Sequence, residues 1–246
     1  VGGPILIQAC INGALPPAAH PALPVTPARI AQDVAAVVSA GADAVHLHAK
    51  GDDGLDTLDP DTVDAAITAV RVAVPALPVS VTTGAWALPD PVARLEAISA
   101  WSVLPDVASV NWHEPGSVAI VEALFERDVG VEAGLWTMDD VRAWADSPVR
   151  DSVSRVLLEL PDRLEPGQAV ALADAMIAHV RKVSVDVPIL LHGEGASAWP
   201  ALRHALVLGL ETRIGLEDTL LLPDGSPAAD NAALVGAARE LVDRLA

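Results

Sequence analysis

The chain has 246 residues, with 33 acidic against 15 basic side chains, a formal net charge of −18 and 52% hydrophobic residues. That sign of charge repels nucleic acid and anionic membranes, and no cluster of Lys or Arg offers a grip on a phosphate backbone. No run reaches the ~18 uninterrupted apolar residues of a membrane span, and VGGPILIQAC has neither the basic flank nor the long apolar core of a signal peptide. A cytoplasmic protein is the expectation, with Cys10 as a buried reduced thiol that has no partner for an internal disulfide.

Short β-rich runs alternate with Ala-rich stretches whose apolar residues recur every three or four positions, the pattern of helices covering a sheet. The first strand, ILIQAC (5–10), leads into the long connection CINGALPPAAHPALPVTP. It lacks the glycine loop of a dinucleotide-binding sheet and is expected to fold over a barrel mouth as a substrate wall. Thr26 before Pro27 marks a helix start and Gly41 a helix end with positive φ. The second strand, AVHLHA (44–49), is followed by a second helix start at Asp59 and Pro60.

The third strand, VSVTTG (79–84), ends in Thr82, Thr83 and Gly84, whose amides and hydroxyls either hold an anionic oxygen or form a local turn. The fourth, VASVNW (107–112), offers Asn111 as a ligand for a carbonyl or carboxylate, with His113 just beyond. In the fifth, VGVEAGL (129–135), Glu132 shares a face with Gly130 and Gly134; it reads as an acid–base or orienting group, or as half of a buried ion pair. The sixth is VSRVLLEL (153–160), and the seventh, PILLHGE (188–194), puts His192 and Glu194 on one face. The eighth, TRIGLE (212–217), carries Arg213, Gly215 and Glu217 in one parity. Eight strand–helix units predict an α/β protein, a single closed (β/α)₈ TIM barrel domain over residues 1–246. Trp86, Trp112 and Trp136, at strand ends, are expected to wall a ligand, and Trp101, Trp144 and Trp199 to pack among the helices.

The sharpest local signal is HLHAK. Side chains two apart in a strand share a face, so His46 and His48 point together. Barrel closure brings the last strand beside the first and near the second, which lets Glu217 complete a two-histidine, one-carboxylate set. Asp218 would stand beside it as an orienting group or a base. Two imidazoles favour zinc over magnesium, although iron, manganese, cobalt or nickel could use the same donors. Arg213 is expected to meet a substrate carboxylate or to pair with Glu217 or Asp218, and Lys50 to attract an anionic substrate from the rim.

With these residues in hand, the chain resembles the β-keto acid cleavage enzymes, whose founding activity is cleavage of 3-keto-5-aminohexanoate. The resemblance rests on PALPVTPARIA, GADAVHLHAK, VTTG, TRIGLEDTLLLPDG and DNAALVGAARE. It implies an oligomeric, metal-dependent barrel that condenses a β-keto acid with acetyl-CoA and splits the product into acetoacetate and a new acyl-CoA. On this resemblance His46, His48 and Glu217 correspond to zinc ligands, Arg213 and Asp218 work beside the metal, and Thr82, Thr83 and Gly84 receive the substrate carboxylate. The chain departs from the pattern at Ala49, Lys50 and Gly51 and at Leu15, where the family commonly has glutamate. The rival readings are a CoA-independent metal-dependent aldolase, lyase or hydrolase on the same barrel, and a non-catalytic metal-binding barrel.

Overall fold

The computed structural model describes residues 5–162 and 164–245. The domain expected over 1–246 includes residues 1–4, 163 and 246, which lie outside the described residues. In chain order the elements are β1 (Ile7–Cys10), α1 (Pro27–Ser39), β2 (Ala44–Leu47), α2 (Pro60–Ala73), β3 (Val79–Thr82), α3 (Pro91–Ser99), β4 (Val107–Asn111) and α4 (Ser117–Phe125). There follow β5 (Gly130–Leu135), α5 (Met138–Ala145), β6 (Arg155–Leu160), α6 (Pro166–Val183), β7 (Ile189–Gly193), α7 (Ala198–Leu208), β8 (Glu211–Ile214) and α8 (Asn231–Leu245). The strands form one closed parallel barrel in sequence order, and β1 pairs with both β2 and β8. This is the expected (β/α)₈ fold.

The helix starts follow the predicted capping. The Thr26 and Asp59 side chains accept amides of the first turns of α1 and α2, and proline fills the next position, where no amide is needed. Gly41 follows α1 at φ 106°. The apolar core lies between the barrel wall and the helices and includes Val45, Leu47, Val79, Val81, Val110, Val131 and Leu158. At alternate strand positions His46, Ser80 and Glu132 are buried and bond in series inside the barrel, and Arg213 is buried there against His192.

Several strands stop short of the predicted ends. β2 stops at Leu47, β3 at Thr82 and β8 at Ile214, because local bonds replace the ladder. The His48 amide donates to Asn12 Oδ1 at 2.8 Å, and the Gly84 amide to Thr82 Oγ1 at 3.1 Å. Glu217 therefore does not share a strand face with Arg213. It sits in a turn in which the Asp218 and Thr219 amides both donate to the Gly215 carbonyl. Gly215 is required there, since a Cβ would fall 1.8 Å from the Cys10 carbonyl oxygen. The turn thus crosses the end of β1 and brings Glu217 to β2.

Candidate metal centre

His46 stands in register between Cys10 of β1 and Ser80 of β3. His48, one residue past β2, is held by Asn12, whose side chain bonds both the amide and the carbonyl of its backbone. The two rings meet edge to face with centroids 5.3 Å apart. Each imidazole is engaged at Nδ1, His46 with Ser80 Oγ at 2.9 Å and His48 with Asp56 Oδ2 at 2.7 Å. That leaves Nε2 of each facing Glu217 Oε1, at 3.9 and 3.6 Å.

Ligand atoms of His46, His48 and Glu217 lie within 4.8 Å of one another. Glu217 Oε2 is buried and has no hydrogen-bond partner among the described residues. Two ring nitrogens turned to one carboxylate, with an orphaned oxygen on that carboxylate, fit a divalent ion with N and O donors. No fourth His, Cys, Asp or Glu joins the set among the described residues.

The electrostatics support the same conclusion. Burial opposes ionisation of Glu217, yet Arg213 and both imidazoles outweigh it and hold the carboxyl well below its usual range. Burial, helped by Arg213, lowers His46 to about 4 despite Glu217. Burial also opposes charge on His48, but Glu217 and Asp56 raise it to about 9. Without an ion the trio therefore carries a proton on His48, which an incoming cation displaces.

Arg213 Nη2 donates to Glu217 Oε1 at 3.0 Å and to Asp218 Oδ1 at 3.2 Å, while its Nε donates to His192 Nδ1 at 3.2 Å. Asp218 also accepts from the Cys10 thiol at 2.7 Å. Beyond His192, its Nε2 lies 3.2 Å from Glu159 Oε2. Glu194 is raised to about 8 by burial and by the nearby Glu159 and Asp218 carboxylates. A cavity of about 340 Å³ opens over this group, lined by His48, Trp86, Trp136, Glu159, Glu194 and Asp218. A groove of about 630 Å³ meets it at Leu15 and Asp218 and continues past Trp199, Leu220 and Leu222.

The other predicted site residues divide. Thr82 and Asn111 line a small void beside His46 and Glu217. Asn111 is pinned between Glu114 and the Trp136 indole. Thr83 turns its hydroxyl to the Ser109 carbonyl. Gly84 makes room for Trp86, whose ring a Cβ would meet at 2.3 Å. Lys50 is buried and bonded to Gly13, Leu15 and Asp56, so it offers no free ammonium at the rim. Glu132 lies inside the barrel, bonded to Gln8, Ser80 and Arg155. His113 is 45% exposed beside Asp140. Of the tryptophans expected as a wall, Trp86 and Trp136 line the cavity and Trp112 is buried in the core; Trp199, expected among the helices, lines the groove.

Sequence reasoning missed Glu159, Asn12, Asp56 and Ser80. Glu159 had a signal, a lone carboxylate within the apolar run VLLEL. Asp56 and Asn12 had none, since each acts across a loop.

A parallel barrel with a three-donor metal site at its mouth and a cavity above it defines a metal-binding TIM-barrel enzyme. The chain belongs to the beta-keto acid cleavage enzyme family, whose sequence model matches residues 4–152 and 162–246. It is 25% identical to the 3-oxoadipate:acetyl-CoA acetyltransferase of Cupriavidus necator, covering 94% of this chain and 86% of that one. It is 26% identical to the 3-keto-5-aminohexanoate cleavage enzyme of Fusobacterium nucleatum, covering 98% and 91%. The solved ternary complex of ObcA with a C4-CoA adduct and oxalate shares the fold, with a TM-score of 0.75 and 19% identity over 91% of this chain and 64% of that one. The 3-dehydroquinate dehydratase of Enterococcus faecalis does so at a TM-score of 0.67 and 9% identity, over 99% of this chain and 95% of that one. The chain spans less than two thirds of the length of ObcA.

Proposed function

We propose that the protein condenses a β-keto acid with acetyl-CoA and cleaves the adduct to acetoacetate and a new acyl-CoA. The observation that carries this reading is the convergence of His46, His48 and Glu217 on one point beside Asp218 and Arg213 at the floor of the cavity. The names of the two curated relatives, which carry acetyl-CoA transfer and keto acid cleavage, support the reaction class. The CoA adduct solved in ObcA supports the co-substrate.

His46, His48 and Glu217 would hold the ion, and two imidazoles with one carboxylate favour zinc. When bound, it supplies Lewis acidity toward the keto and carboxylate oxygens of the substrate. Arg213 fixes Glu217 and Asp218 through one guanidinium, so the ligand and the base move together. Asp218, steadied by Arg213 and the Cys10 thiol, takes the proton from the carbon between the two carbonyl groups and returns it after cleavage. Trp86 and Trp136 limit water beside the nascent enolate. The groove past Trp199 receives the acetyl-CoA arm, and the working form is an oligomer, as the family resemblance implies.

The test is turnover by metal-loaded protein with acetyl-CoA and β-keto acids bearing distal ammonium, alkyl or carboxylate ends. That range is needed because Glu159 and Glu194 face the cavity. A new CoA thioester with at least one acid is expected. Product without CoA would favour the aldolase or hydrolase reading, and no conversion of any acid would reject the proposal. Asp218→Asn should lower kcat by roughly 10²–10⁴ with the ion retained.

A further inference from the structure

Below the metal ligands, a line of hydrogen bonds crosses the barrel interior from His46 to Glu211, the first residue of β8. His46 Nδ1 lies 2.9 Å from Ser80 Oγ, and the Ser80 hydroxyl donates to Glu132 Oε2 at 2.6 Å. Glu132 Oε1 accepts from Gln8 Nε2 at 3.0 Å and from Arg155 Nε at 2.8 Å, and Arg155 Nη1 donates to Glu211 at 2.6 Å. His46 is 1%, Ser80 2% and Glu132 0% exposed, so bulk water does not compete for the bonds among these three.

The direction of this line is determined by its members. A guanidinium can only donate, so Glu132 Oε1 must accept. Arg155 donates to Glu132 Oε1 from both Nε and Nη2, and this ion pair inside the barrel keeps the carboxyl ionised despite its burial. The ionised carboxylate accepts at Oε2 as well, which takes the single hydroxyl proton of Ser80. Ser80 Oγ must then accept from His46 Nδ1.

We propose that Ser80 and Glu132 are positioning residues of the metal site, locking His46 in the Nδ1–H tautomer, and that Arg155 sets the direction of the line. Nε2 of His46 is then always a lone pair on the side of Glu217. A carboxylate reaching a metal-binding histidine through a serine does here what Asp56 does directly for His48. Glu132, expected from sequence as an acid–base candidate, acts through His46 and stays out of the cavity. The proposal rests on His46 being a ligand, and the test separates the two.

Glu132→Gln is the decisive variant. Arg155 still requires an acceptor at Oε1, so the amide nitrogen takes the place of Oε2 and donates to Ser80. The hydroxyl must turn toward His46 Nδ1, which drives the imidazole proton to Nε2, where the ion binds. Zinc affinity, measured by competition with a chromophoric chelator, should fall roughly 10–100-fold. In the metal-free protein, ¹⁵N NMR should find His46 protonated at Nδ1 in the parent and at Nε2 in the variant. Ser80→Ala should weaken zinc binding about tenfold, and Ser80→Thr, which keeps the hydroxyl, should restore it. The serine pair carries the comparison if Glu132→Gln does not fold. Unchanged affinity in both Glu132→Gln and Ser80→Ala, or a parent His46 protonated at Nε2, overturns the proposal. If His46→Ala binds zinc like the parent, the ligand assignment itself fails and the proposal with it.

Discussion

Lys50 carries its ammonium into a place that water does not reach. Its side chain is 0% exposed, and its three donors go to the Gly13 carbonyl at 2.6 Å, the Leu15 carbonyl at 3.1 Å and Asp56 Oδ1 at 2.6 Å. Asp56 in turn accepts from His48 and from the Trp86 indole, each at 2.7 Å. One lysine therefore ties the loop after β1 to the carboxylate that orients His48, a proposed metal ligand. Lys50→Met would leave two carbonyls without their donor and Asp56 with only His48 and the Trp86 indole as partners. Removing one partner of a buried ion pair costs roughly 3–5 kcal/mol. Urea denaturation should show a loss of that order, and a change below about 1 kcal/mol would mean that the cage relaxes or takes in water.

The site is built at element ends, where loops replace strand pairing. Gly13, at φ 53° in the loop after β1, lies so close to Glu217 that a Cβ would meet its Cγ at 2.4 Å. Gly13→Ala should displace the carboxylate and weaken divalent-metal binding by about tenfold or more while the barrel stays folded; a competition titration beside a thermal melt would read both. Alternation in AVHLHA made His46 and His48 legible, because period two survives to the end of a strand. The eight strand–helix units were legible for the same reason, since buried parallel strands and amphipathic helices have different periods. Glu217 was found through parity, yet it arrives by a turn, and its neighbour Asp218 meets Cys10, 208 residues earlier in the chain. Asn12 holds His48 across 36 residues and Ser80 meets Glu132 across 52, contacts that closure of the barrel creates and local sequence does not announce.

Over the whole molecule, buried carboxyls and imidazoles together set how stability responds to pH, and the raised His48 and His192, each at about 9, lose their contribution as pH rises. Asp33 of α1 is raised to about 7 by burial and by Asp230, against the bond it accepts from Asn231 at the start of α8. Glu194 is raised to about 8. Unfolded carboxyls ionise near 4, so between about pH 4 and 8 the folded state binds more protons, and stability falls as pH rises. Glu132 and Glu217 act in the opposite sense: their pKa values are lowered, so their contribution is present above the usual carboxyl range and is lost on acidification. The metal-free protein should thus be most stable in mildly acidic solution. Denaturant midpoints at pH 5 and 8.5 would show the decline, and Asp33→Asn should reduce it while Glu194 and His48 keep part of it; equal midpoints for the parent would contradict the assignment.

Cys10 gives this closed ring a clock. It lies on β1, the strand that joins the first and last parts of the chain, and its thiol is sealed against Asp218. A thiol reagent can reach it only when that seam parts, and the sequence holds no second cysteine to confuse the count. The labelling rate of the untouched protein therefore measures how often the circle comes undone, with and without an ion at its mouth.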